Sequence, residues 1–325
     1  MSLRKAPYVV PREKKVRVII DTDCHCEADD QFAVAHQLMT PKLDVVGINA
    51  THYATRFGAK SVEESMLKSY DEALKVVSLM GLSDEYTVYK GCKEQLKDEI
   101  SFVDSDASRF IVEESLRDDE RPLFITVQGA LTNVASAYLM NPKIADKFTI
   151  IWIGGGEYPK GGVEFNTDND INAANVIMDS PIELWQVPVS VYRMMKVSFA
   201  TLYDRVYPYG DIGKYLVEYM MEFNNTMIEF VASIGQWFPE DMSEPAKRAK
   251  YPAGESWQLG DNPVVGLLLT DHEGHFTVEG APRFNTETCE YLLRPANPRK
   301  IRVYNYIDNH FILEDFFAKI KYYYG

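Results

Sequence analysis

What most constrains this chain is a regular alternation of short β-branched apolar runs with longer amphipathic segments. Residues 16–20 read as a buried strand, and 29–39 as a helix stopped before Pro41. A second strand is predicted over 43–50. The helix predicted over 61–80 carries Val62, Met66, Tyr70, Ala73, Leu74 and Val77 on one face, with Gly81 as its cap. The alternation continues with a strand at 122–128 and a helix at 130–140, ended by Asn141-Pro142, then a strand at 149–153. A helix over 170–178, a strand over 182–187, a long helix over 212–234 and a short one over 262–269 follow. Strands at 276–278 and 300–306 and a closing helix at 309–319 complete the pattern. Strands alternating with helices imply an α/β fold, a mainly parallel central sheet with helices on both faces. Ligands of such sheets sit beyond the carboxyl ends of the strands.

A chain of 325 residues can bury a large core without disulfides. No repeat or linker divides it, so residues 1–15 read as an N-terminal tail and 16–325 as one domain. The 34 Lys and Arg against 48 Asp and Glu give a net charge of −14, which argues against nucleic acid as partner. No apolar run approaches the roughly 20 residues of a membrane span. Residues 1–15 lack the apolar stretch of a secretory signal, so a cytoplasmic location is expected. Cys92 and Cys289 read as small buried residues. Cys24-His25-Cys26 lacks the further ligands of a zinc site and is read as a plain loop.

The ends of the strands carry the chemistry. The first strand runs into Asp21-Thr22-Asp23-Cys24-His25-Cys26-Glu27-Ala28-Asp29-Asp30, four Asp and one Glu within ten residues. Packed carboxylates repel one another and lose hydration, and a hard divalent cation is the simplest compensation. The plain alternative is a solvated acidic loop with Asp29 capping the next helix, which does not explain Asp21 and Asp23. Later strand ends carry Gly129-Ala130-Leu131-Thr132-Asn133, Gly154-Gly155-Gly156 followed by Glu164-Phe165-Asn166, and Gly260-Asp261.

In this order, these segments resemble the inosine–uridine-preferring nucleoside hydrolases. That family opens with D-x-D-P-G-x-D-D and continues with G-P-L-T-N-[IV]-A, M-G-G, E-F-N and a late His-Asp pair. The resemblance implies a Rossmann-like domain and one Ca²⁺ per active site. It also implies hydrolysis of the N-glycosidic bond of a ribonucleoside, in a homodimer or homotetramer. Asp23 matches the carboxylate that touches the metal and takes a proton from the attacking water. Asp30, Asp261 and the Gln128 carbonyl match metal ligands, and Asp21 a supporting carboxylate of the metal site. Asp29, Glu164 and Asn166 match groups that hold the ribose hydroxyls. An oxocarbenium-like transition state suits such a carboxylate-rich pocket.

The chain departs from the pattern on the base side. Five residues separate Asp23 from Asp29 where the family has three, and Pro-Gly is missing. Gly260 stands where many members carry a His that protonates a purine. His25 and His52 are the alternative acids, and His52 is also a candidate substrate contact, although each reads first as an ordinary loop histidine. Tyr192, Tyr203, Tyr207, Tyr209, Phe223, Trp237 and Phe238 are candidates for a wall over the base, or for core and interface packing. Two other readings are a ribose-binding relative without turnover and a Mg²⁺-dependent haloacid-dehalogenase-like phosphatase with Asp21 as nucleophile.

Overall fold

The computed structural model describes residues 6–234, 254–270 and 274–325. Its centre is a sheet of eight strands among the described residues. They are β1 (Val16–Thr22), β2 (Leu43–Ala50), β3 (Val88–Tyr89), β4 (Leu123–Val127), β5 (Phe148–Ile153), β6 (Glu183–Val187), β9 (Phe276–Gly280) and β12 (Lys300–Tyr304). The spatial order is β3-β2-β1-β4-β5-β6-β12-β9. All neighbours run parallel except β9, which lies antiparallel to β12. Short pairs β7 (Lys196–Ser198) with β8 (Ser256–Gln258), and β10 (Arg283–Phe284) with β11 (Tyr291–Leu292), lie outside it.

Residue alternation along β1 divides the core. Val18 and Ile20 enter one apolar layer and Ile19 the other, as the two-residue period of a strand requires. Helices α1 (Asp30–Leu38), α2 (Val62–Leu79) and α11 (Asn309–Tyr324) supply Phe32, Val76 and Phe316 to the first layer. Helices α3 (Asp106–Ser115), α4 (Thr132–Met140) and α6 (Ile171–Asp179) supply Ile111, Val134 and Ile177 to the second. The parallel sheet and two-sided cover match the expectation, and the strand and helix bounds agree to within a few residues.

Several short elements were not anticipated. Helix α3 starts at a capping box in which Ser105 and Ser108 satisfy each other's backbone N–H groups. Helices α5 (Phe165–Asn169), α7 (Val189–Tyr192) and α8 (Phe199–Arg205) are one or two turns each. The long helix α9 (Gly210–Ile234) and the short α10 (Pro263–Leu269) stand where expected. Residues Arg12–Lys14 of the expected tail form a 3-10 turn. Among the described residues no helix is long and apolar enough to cross a membrane.

Candidate active site

The chain runs from β1 outward to β2 and β3, then returns to place β4 on the other side of β1. This reversal opens a crevice beyond the carboxyl ends of β1 and β4. There lies a cleft lined by Asp23, Cys26, Glu27, Asp29, Asp30, Gln128, Ile153, Glu164, Phe165, Asn166, Tyr192, Gly260 and Asp261. Seven of the nine candidate residues named from sequence therefore meet in one place. Asp21 and His52 do not.

Backbone pairing sets the acidic side. The Gln128 N–H donates to the Asp21 carbonyl at 2.8 Å, which brings the end of β4 beside Asp23. Asp30 opens α1, and its Oδ1 accepts from Thr22 Oγ1 and from Gln128 Nε2, the latter at 3.3 Å. Gln128 is itself held by Gln37 Nε2 at 2.8 Å, and Gln37 by Thr126 Oγ1 at 2.8 Å. This buried chain fixes the orientation of Asp30. Asp29 sits at the N-cap position of α1 but makes no side-chain cap bond. Its Oδ2 instead accepts the Gly260 N–H at 2.9 Å, which ties α1 to the loop carrying Asp261.

The donor set fits a hard cation. Asp29, Asp30 and Asp261 are buried and bring oxygens within 4.8 Å of one another. Asp23 Oδ2 is buried without a hydrogen-bond partner among the described residues. Burial pushes the Asp23, Asp29 and Asp261 carboxyls well above the usual range, and neighbouring carboxylates add to the effect. Asp30 is raised to about 6, again mainly by burial. All-oxygen ligands with uncompensated negative charge suit Ca²⁺ or Mg²⁺. Asp29, assigned from the resemblance to the sugar alone, belongs geometrically to the same group of three.

Opposite lies the amide and carboxylate side. Glu164 caps α5. Its Oε2 accepts the Gly155 N–H at 2.8 Å and the Thr167 N–H at 3.0 Å, and its Oε1 accepts the Tyr192 hydroxyl at 3.1 Å. Gly155 has φ +93°, and a Cβ there would lie 2.2 Å from Gln186 Nε2, so only glycine permits this approach. Asn166 Nδ2 donates to the carbonyls of Ile153 at 2.8 Å and Gln128 at 3.2 Å.

Asp21 lies behind the cleft. It is fully buried, and its Oδ2 accepts from Asn133 Nδ2 at 3.0 Å. Burial raises its carboxyl to about 7. Asp21 does not line the cleft, where the phosphatase reading needs it as the nucleophile. The candidacy of His52 as a substrate contact is also corrected. Fully buried, its Nδ1 accepts the Ala54 N–H at 3.3 Å and its Nε2 meets Thr132 Oγ1 at 2.8 Å. His25 packs on Tyr53 and Tyr219 outside the cleft lining. All four cysteines are free and buried, as expected for Cys92 and Cys289, while Cys24 and Cys26, read as a plain loop, are buried as well.

Tyr192, one of the aromatic candidates, lines the cleft, and Glu27, which the sequence did not single out, joins it there. Glu27 comes from the lengthened loop, and burial raises it to about 7 against the opposing charge of Arg193. Its five-residue spacing was the available signal. Of the other aromatic candidates, Tyr203 stacks on Tyr207 with ring centres 4.8 Å apart, and Phe223 packs on Phe57 and Trp257. Trp237 and Phe238 fall outside the described residues.

Fold and cleft together define a mainly parallel α/β protein with buried carboxylates gathered at the sheet's switch point. The family profile of the inosine-uridine preferring nucleoside hydrolases matches residues 18–308, and the chain belongs to that family. It is accordingly an N-glycosyl hydrolase. Solved structures agree on the fold at low identity. A purine-preferring ribonucleoside hydrolase from Gardnerella vaginalis is 17% identical with a TM-score of 0.68, over 94% of this chain and 98% of that one. An inosine-uridine preferring nucleoside hydrolase from Bacillus anthracis is 13% identical with a TM-score of 0.63, over 94% and 99%. The type III effector XopQ, solved with adenosine diphosphate ribose, is 14% identical with a TM-score of 0.67, over 96% and 94%. No curated protein matches the chain significantly by sequence.

Proposed function

We propose that this protein hydrolyses the N-glycosidic bond of a ribonucleoside to ribose and free base, with Ca²⁺ as cofactor. The observation that carries the reading is the unpartnered Asp23 Oδ2 facing a group of three buried carboxylates across from Glu164 and Asn166. Asp23, Asp30, Asp261 and the Gln128 carbonyl would hold the ion, with Asp29 close enough to share it. When bound, the cation supplies a positive centre that orients vicinal hydroxyls and favours deprotonation of water.

The chain's own residues do the rest. Asp23 accepts the proton of the attacking water, its free oxygen lacking any competing donor. Asn166 and Glu164 fix the sugar hydroxyls from the far wall, and Asp29 from the near one. As the C1′–N bond lengthens, positive charge grows on the ribose ring, and the surrounding carboxylates stabilise it without reorganising. The reading also takes residues 16–325 as one catalytic domain acting in the cytoplasm as a homodimer or homotetramer.

Reducing-sugar release from a panel of ribonucleosides and deoxyribonucleosides tests it, with Ca²⁺ and with a chelator. Asp23→Ala should lower the rate by about 10²–10⁴-fold, the usual worth of a positioned base. Release that survives chelation or Asp23→Ala would overturn the mechanism. Tight ribose binding without release would favour a binding-only relative.

A further inference from the structure

We infer that His36 is a positioning residue for Asp261: it ties the C-terminal helix α11 to the loop that carries this carboxylate, through the adjacent Asn262. The role rests on the reading of Asp261 as a ligand of the cation. It goes beyond that reading because neither His36 nor Asn262 lines the cleft.

His36 lies in an apolar layer. Helix α1 is buried along its whole length, and the His36 ring packs edge-on against Phe316 with ring centres 5.4 Å apart. Yet a closed ring of polar bonds surrounds the end of this helix. His36 Nε2 meets Asp315 Oδ2 at 2.7 Å, and Asp315 also pairs with Lys319. The buried Lys319 Nζ donates to Thr40 Oγ1 at 2.8 Å, and that hydroxyl donates to the His36 carbonyl at 2.7 Å. Apolar residues of similar volume would usually be at least as stable in such a layer. What the ring adds is direction. A carboxylate only accepts, so Nε2 carries the proton of the neutral imidazole and Nδ1 is left as an acceptor. That acceptor takes Asn262 Nδ2 at 3.1 Å.

Asn262 shows what the acceptor is for. It stands at the N-cap position of α10, where an asparagine ordinarily bonds the first turn, but it makes no side-chain cap bond. Its amide goes to His36 instead. On the other flank of Asp261, the Gly260 N–H goes to Asp29 Oδ2 at 2.9 Å. Both flanks of Asp261 are therefore tied to α1, one at its start and one near its end. Asp261 needs such ties, because Asp29, Asp30 and Asp23 press on it with like charge. A carboxylate held in place beforehand lowers the cost of binding a cation. The next residue of α1, Gln37, supports Asp30 in the same way through Gln128. Two consecutive residues of one helix thus each hold a different carboxylate from behind.

The test is calorimetric titration of the metal-free full chain with Ca²⁺, alongside thermal unfolding in chelator. His36→Leu removes the acceptor and leaves Asp315 paired with Lys319. It should weaken Ca²⁺ binding about 10–100-fold, the usual worth of a group that holds a ligand from behind. Asn262→Ala should weaken it to a similar degree. In the Asn262→Ala background His36→Leu should add less than about twofold, since one bond cannot be lost twice. His36→Asn, which keeps an amide oxygen as acceptor, should recover part of the loss. A role confined to packing gives instead a lower Tm for His36→Leu with Kd unchanged, or effects of the two substitutions on Kd that add. Either result overturns the inference and leaves the cation reading standing. Should His36→Leu fail to fold, Asn262→Ala decides, and a Kd within about twofold of wild type overturns the inference. Ca²⁺ binding that Asp261→Asn leaves unchanged, or none by the wild type, overturns the cation reading and this inference with it.

Discussion

Two buried histidines show how local bonding decides what a residue can do. His52 accepts the Ala54 N–H at Nδ1, so its proton sits on Nε2 and points to Thr132 Oγ1, which donates in turn to Asp170 at 2.7 Å. His36 accepts from Asn262 Nδ2 at 3.1 Å and meets Asp315 at 2.7 Å through Nε2. Burial lowers both to about 4. An unfolded histidine titrates near 6.5, so between pH 6.5 and 4 the unfolded chain binds protons that the native state refuses. Their contribution is complete above pH 6.5 and is lost as pH falls. His52→Gln removes one such group while an amide can still bond. Comparing urea unfolding at pH 7 and pH 5, the wild type should lose about 2 kcal/mol more than His52→Gln. Parallel losses would refute the assignment. A lone histidine after a strand carried no mark of this in the sequence, because its partner Thr132 lies 80 positions away.

At the scale of elements, the cleft depends on short turns rather than on long helices. Helix α5 has five residues and is held by its Glu164 cap. It was invisible to periodicity, which needs several turns to register. The E-F-N motif marked its residues without revealing the helix. Gly155 links β5 to this cap. Gly155→Ala would place a Cβ 2.2 Å from Gln186 and 2.3 Å from Tyr291 Oη at a positive φ. Such a clash should cost about 2–4 kcal/mol in thermal or chemical unfolding. It should also raise KM by displacing Glu164. An unchanged KM in a folded variant would show that the Gly155 bond does not position the cap. The strand ends, by contrast, were legible, because an apolar run that stops at Asp or Gly reads the same in sequence and in space.

The whole molecule gathers carboxylates from residues 23, 27, 29, 30, 164 and 261 into one cleft of a chain with net charge −14. That concentration of charge destabilises the metal-free fold. A cation that binds only the native state stabilises it by about 2.7 kcal/mol at a hundredfold excess over Kd, or roughly 5 °C in Tm. Calorimetry with Ca²⁺ and after chelation should show that rise, and Asp261→Asn should abolish most of it. An equal shift in the variant would place the ion elsewhere.

The sequence by itself determined the alternation of strands and helices, the parallel sheet and the run of acidic and glycine residues at strand ends. Each of these follows from local periodicity or from the chemistry of neighbouring residues. Tertiary structure alone decided which of those groups share a cleft. Asp21 and Asp23 stand two residues apart, yet only Asp23 lines the cleft and Asp21 is turned toward Asn133. Tyr192 and Gly260, far apart in the chain, meet so closely that a Cβ on residue 260 would lie 3.1 Å from the Tyr192 ring. Exclusion of this kind depends on which atoms meet across the sheet's switch point, and no stretch of sequence contains both sides of it.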